Sequence, residues 1–246
     1  MIRTGIDNLA AVHEVLAGKR LGLMTNPTGV DAQLTSGLLL ARHAQQGDRI
    51  ITLDLTAGER GTPAGFTQES FRQYNIECAG QFAEMLGGKS IVLDTPDGEL
   101  EYSKELAIQI GDIMREYEVS TVLYHWKNSM HKDHIAASQL TTDAIFFGSL
   151  STFERPLPPA PIRRFLYAEN WEDSEGFVPY AYFDVTEAFP LWKEAVKKLW
   201  LTEHSKDFKY LQYYEGLARM RGALIKKEYG TAFGIDEYAK RIVMEP

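Results

Sequence analysis

Apolar residues along this chain fall into two alternating textures: short continuous runs bounded by turn residues, and longer stretches in which they recur every three or four positions. The short runs at 19–24, 49–55, 90–94 and 120–124 predict buried strands, being rich in Ile, Val and Leu. Between them, residues 34–46, about 68–86 and about 103–117 carry helical spacing, the first closed by Gly47 and the second by Gly87-Gly88. Strand and helix in repeated alternation predict an α/β fold, a mainly parallel sheet with helices on both faces and right-handed crossovers. After Leu150 the texture changes. Pro156-Leu157-Pro158-Pro159-Ala160-Pro161 predicts a stiff connector, 164–168 and 181–185 predict strands, and helices over about 187–200 and about 210–226 finish the fold. No internal repeat or low-complexity segment interrupts the pattern, so a single domain over 1–246 is expected.

Composition narrows the class. With 246 residues, 44% hydrophobic and 24% charged, the chain can bury a sizeable core. Its net charge of -8 argues against binding nucleic acid, which takes a basic surface that displaces counterions. Cys78 is the single cysteine, which excludes an internal disulfide and a cysteine-rich zinc site. No apolar run approaches the roughly 18 residues of a membrane span, and the start of the chain has no continuous apolar signal region. No membrane partner is expected, the cytoplasm is the default location, and a homo-oligomer is compatible with the chain.

The stretch that carries chemistry is His131-Lys132-Asp133-His134, a short polar loop beyond the strand at 120–124 and before a helical pattern. Two imidazoles and a carboxylate at the carboxyl end of a strand can bind a metal, polarise a carbonyl and move a proton. The same four residues also suit an ordinary solvated loop.

Several motifs around that cluster resemble, in order, the LmbE-like/PIG-L family of zinc-dependent N-acetylglucosaminide deacetylases. They are Leu53-Asp54-Leu55-Thr56-Ala57-Gly58-Glu59-Arg60-Gly61, Thr95-Pro96-Asp97-Gly98, the cluster itself, Phe177-Val178-Pro179 ahead of Asp184-Val185-Thr186, and Leu217-Ala218-Arg219-Met220-Arg221-Gly222. The resemblance covers about 34–246 and implies a Rossmann-like fold and removal of an acetyl group from an N-acetylated amino sugar or related amide. The family opens with His-Pro-Asp-Asp, in which the histidine and second aspartate bind zinc and the first aspartate is the general base. Here Thr28-Gly29-Val30-Asp31 stands there, so Thr28 replaces a ligand and Val30 the base. Residues 1–33 look foreign to the family. Thr4-Gly5-Ile6-Asp7 and the run from Gly18 to Asp31 instead resemble exo-β-N-acetylmuramidases.

Carried over residue by residue, the resemblance makes Asp31 and His134 metal ligands, His131 the electrophilic histidine and Asp133 its orienting partner. Two ligands predict weak or absent zinc occupancy and an impaired enzyme. His125 is a candidate replacement ligand, and Asn26 or Thr28 could offer a neutral oxygen. Asp97, Glu59 and Arg60 are candidates for binding the sugar, against a plain turn for Asp97 and a surface ion pair for the other two. Trp171, Phe177, Tyr180 and Tyr182 could wall a sugar site or simply pack. The alternative to an active deacetylase is a non-catalytic, sugar-binding relative. A peptidoglycan muramidase is disfavoured because the short first segment supplies no pair of acidic groups to flank a glycosidic bond.

Overall fold

The computed structural model describes residues 20–25, as a backbone strand, and 31–239. Seven strands form one sheet in the order β3-β2-β1-β4-β5-β7-β6. β1 (Arg20–Thr25), β2 (Arg49–Thr56), β3 (Lys89–Thr95), β4 (Thr121–Tyr124) and β5 (Arg164–Ala168) pair in parallel, with β1 between β2 and β4. β6 (Ala181–Asp184) and β7 (Gly230–Gly234) extend the sheet through antiparallel pairs. The mixed α/β architecture is therefore the expected one. One strand is additional: β7 lies between β5 and β6, although Gly-Thr-Ala-Phe-Gly carries too little apolar patterning to announce a strand.

Seven residues of β2 in succession are buried, as they must be in a strand covered on both faces. Alternate residues of β4 and β5 divide between two hydrophobic layers, since successive side chains of a strand point to opposite faces. Leu123, Leu166 and Ala168 join the layer built with α1 (Asp31–Thr35), α2 (Gly37–Gln45), α3 (Gln68–Met85), α6 (Phe189–Val196) and α8 (Tyr210–Leu224). Val122, Tyr124 and Tyr167 join the layer built with α4 (Lys104–Glu116) and α5 (Lys132–Ser149).

The helix expected over 34–46 is broken in two at Ser36. Trp192 of α6 explains the break: its indole N–H donates to the Gln33 carbonyl at 2.8 Å, and a Cβ on Gly37 would lie 2.8 Å from the ring. The helix expected over 187–200 likewise divides, into α6 and the short α7 (Trp200–His204). The starts of α3 and α4 carry ordinary side-chain caps. Thr67 and Ser70 form a reciprocal box at α3, and the Ser103 hydroxyl accepts the Leu106 N–H at α4. Among the described residues no helix is long and apolar enough to cross a membrane, and Cys78 is buried.

Candidate metal centre

Loops at the carboxyl ends of the parallel strands bring the candidate residues together. Asp31 opens α1 after β1, His125 follows β4, His134 lies in the first turn of α5, and a 3-10 turn, Trp171–Asp173, follows β5. The arrangement centres on a residue remote in sequence from the histidine cluster. Asp173 is fully buried, and its two carboxylate oxygens each bind an imidazole: Oδ2 to His125 Nδ1 and Oδ1 to His134 Nδ1, both at 2.7 Å. With both Nδ1 atoms engaged, each ring keeps Nε2 for another partner, as when a carboxylate orients histidines toward a metal. Asp31, His125 and His134 offer three donor atoms within 4.8 Å of one another. His134 Nε2 lies 3.2 Å from Asp31 Oδ2 and 3.4 Å from Glu172 Oε2, is fully buried, and makes no hydrogen bond.

Electrostatics agree with a cation at this point. Burial would raise the Asp173 carboxyl, yet the two imidazoles hold it well below the usual carboxylate range. Burial would lower His134, but Asp173 and Asp31 more than offset it and push its pKa up to about 10. Glu172 is raised to about 7, by burial first and then by the charge of Asp31. Burial, with Asp31 and Glu172, also lifts Tyr210 to about 12. The carboxylates favour a positive charge beside His134, and a proton supplies it where no metal is bound. Two imidazoles, one of them with an orphaned buried nitrogen, and a carboxylate fit a divalent first-row ion, with donors of the kind zinc takes.

His131 caps α5. Its Nδ1 accepts the Asp133 backbone N–H at 3.3 Å, which leaves Nε2 to carry the proton. Burial and the neighbouring His134 lower its pKa, so the ring is neutral at pH 7 and a hydrogen-bond donor. Asp133 thus touches His131 through its backbone. Its carboxylate accepts the Gly98 N–H at 2.8 Å, where Gly98 adopts a φ of 75° that favours glycine.

The sugar-binding candidates form a second cluster beside the first. Glu59 is buried and accepts the Asp97 N–H at 2.9 Å, while Arg72 approaches its other oxygen at 3.5 Å. The Asp97 carboxylate accepts the Arg60 backbone N–H at 3.1 Å, and the Arg60 guanidinium reaches the Asp97 carbonyl and Glu99. Burial raises Asp97 to about 6 despite the Arg60 N–H, with further help from the charges of Glu59 and Asp133. Of the aromatic candidates, Trp171 stacks on Phe208 and Phe177 packs edge-on against Trp126, whereas Tyr180 is exposed. Thr28, Val30 and Asn26 lie outside the described residues.

Residues 31–145 match the family model of PIG-L, the GlcNAc-PI de-N-acetylases. The match spans a little under half of the chain. It takes in Asp31, Glu59, Arg60, Asp97, His125, His131, Asp133 and His134, whereas Glu172 and Asp173 lie beyond it. A 4-oxalmesaconate hydratase of Pseudomonas putida KT2440 is 22% identical over 222 residues, covering 86% of this chain and 83% of the relative. The crystal structure of the 4-carboxy-2-hydroxymuconate hydratase of the same organism superposes with a TM-score of 0.81 at 20% identity, covering 93% of this chain and 99% of that one. An N,N'-diacetylchitobiose deacetylase from Pyrococcus horikoshii gives 0.76 at 20% identity, with coverage of 96% and 94%. Identities this low establish the PIG-L fold and leave the substrate to chemistry. Nothing local in the sequence marks Glu172, Asp173 or Arg72. Asn170-Trp171-Glu172-Asp173 has no periodicity, and its one signal was an asparagine cap following a parallel strand.

Proposed function

We propose that this protein is a metal-dependent hydrolase that removes an acetyl group from an N-acetylated amino sugar or a related amide. The observation that carries the reading is the convergence of Asp31, His125 and His134, with both imidazoles aimed by one buried carboxylate. A divalent ion held there would polarise the amide carbonyl and bring the pKa of a bound water toward neutrality. Asp173 fixes the tautomer of both ligand rings, and the neutral His131, held at Nδ1, is placed to donate a hydrogen bond to the developing oxyanion. Asp133 and Glu59 hold the turn at Asp97 and Gly98 against the mouth of the site, where a hydroxylated ligand would find acceptors.

Hydration of an unsaturated acid is the second reading, supported by the sequence and structure matches to Pseudomonas putida hydratase. Charge favours deacetylation. Arg60, Arg72 and Lys132 each stand within ion-pair distance of a carboxylate, so a polyanionic substrate would meet Asp31, Asp97 and Glu172 with these cations already engaged. A neutral sugar meets no such repulsion. The test supplies the purified protein with Zn2+, Co2+ or Mn2+ and assays acetate release from N-acetylglucosamine and N,N'-diacetylchitobiose, alongside hydration of 4-carboxy-2-hydroxymuconate. Acetate release that His134→Ala abolishes is expected. Hydration without acetate release would replace this reading with the second, and neither activity in metal-loaded protein would favour a non-catalytic sugar binder.

A further inference from the structure

The geometry points to Glu172 as a fourth protein donor to the metal, giving a set of two imidazoles and two carboxylates in a chain whose family motif has Thr28 at one ligand position. The inference rests on the metal centre proposed above and goes beyond it, because Glu172 lies outside the matched family segment.

Distances make the case. Donor atoms on a tetrahedral ion with bonds of about 2.0–2.1 Å stand about 3.3–3.4 Å apart. Asp31 Oδ2 and Glu172 Oε2 lie 3.2 and 3.4 Å from His134 Nε2, each about one such edge away from it. Glu172 stands just outside the set of Asp31, His125 and His134, whose donor atoms all lie within 4.8 Å of one another, and would join it by a change of rotamer. Fully buried, His134 Nε2 faces both oxygens at once and is well aligned with neither. Among the described residues, Glu172 and Asp173 have no lysine or arginine within ion-pair distance, and the imidazoles are what face them. Two carboxylates packed against two imidazoles that Asp173 already serves leave negative charge for a cation to neutralise.

The backbone around Glu172 is fixed from both sides, which gives its carboxylate a defined place. Its carbonyl accepts the Met130 N–H at 3.1 Å and faces the Ser129 hydroxyl at 3.4 Å. Its N–H donates to the Asn170 side chain, which the buried Tyr214 hydroxyl holds at 3.0 Å. The 3-10 turn thereby carries both the carboxylate that aims the imidazoles and the one assigned to the ion. With four protein donors on a tetrahedral ion, water would enter as a fifth ligand, the expansion that catalytic zinc sites undergo.

The experiment measures Zn2+ and Co2+ affinity by calorimetry, and the visible spectrum of the Co2+ form, for the full-length protein, Glu172→Gln and Glu172→Asp. Loss of an outer-shell partner costs about 10–100-fold in affinity, so removal of a ligand should exceed about 100-fold in Glu172→Gln. The Co2+ spectrum should change as the donor set changes, and Glu172→Asp, which keeps a carboxylate, should recover part of the affinity. A Co2+ spectrum in Glu172→Gln identical to that of the parent would overturn the assignment while leaving the metal centre intact. Failure of the parent protein to bind either ion would overturn the metal centre itself. Should Glu172→Gln not fold, Glu172→Ala takes its place and the same spectral comparison decides.

Discussion

Two carboxylate clusters lie side by side at the carboxyl edge of the sheet, and they differ in what neutralises them. Around Glu59 and Asp97 guanidinium groups supply the cations: Arg72 faces Glu59 and Asp94, Arg60 pairs with Glu99, and backbone N–H groups donate to Glu59 and Asp97. Around Asp173 the carboxylates face imidazoles, and His134 keeps a buried nitrogen without a hydrogen bond. The first cluster already holds its cations. The second gains a partner only when a cation arrives. Acidic residues at a strand end are thus poor evidence of a metal until their counter-charges are counted, since guanidinium groups close a site that imidazoles leave open.

The largest effect that would test this contrast is in metal affinity. Asp173 orients two imidazoles, and each such partner is worth about 10–100-fold, so Asp173→Asn should weaken zinc binding by about 10²–10⁴-fold in a competition titration with a chelator. A loss below about tenfold would mean that the imidazoles hold their positions without it and that the two clusters differ less than their geometry suggests.

The closed cluster should respond in stability instead. Arg72→Met leaves the buried Glu59 carboxylate without its guanidinium and the Leu93 carbonyl without a donor. Breaking a buried pair costs about 3–5 kcal/mol, and the partial exposure of Arg72 places this one near the low end, about 3 kcal/mol in urea unfolding. Zinc affinity should not change, because the pair contacts none of the donors. Weakened metal binding in this variant would show that the two clusters act as one.

The same contrast explains how much was legible in the sequence. Strands with dense β-branched residues, such as Arg49–Thr56, and helices with a capping serine, such as Lys104–Glu116, announce themselves locally. Break points set by a distant side chain do not: the interruption at Ser36 belongs to Trp192, more than 150 positions away. The site divides in the same manner. His131, Asp133 and His134 stand together in the sequence and drew attention at once. Asp173, which aims His134, is joined to it only by the fold, from a turn whose residues would suit any surface loop. His125 is visible locally as a histidine at a strand end, but the carboxylate that holds its Nδ1 reaches it only through the fold.

The smallest effect is a pH dependence in the closed cluster. Burial raises Asp97 from its ordinary 3.8 to about 6, so between these values the folded protein binds a proton that the unfolded chain does not. Stability then rises as pH falls through about 6, levels off below about 3.8, and is lowest, as far as this group is concerned, above 6. Asp97→Asn removes the ionisation but keeps an oxygen to accept the Arg60 N–H. The variant should melt above the parent at pH 7.5, and the gap should close as the pH approaches 4. Other groups that titrate in this window, Glu172 among them, are present in both proteins, so they largely cancel from the difference between the two melting curves. A gap that stays constant from pH 7.5 to 4, in thermal melts followed by circular dichroism, would mean that Asp97 stays ionised across the range and that the Arg60 N–H, rather than burial, governs its charge.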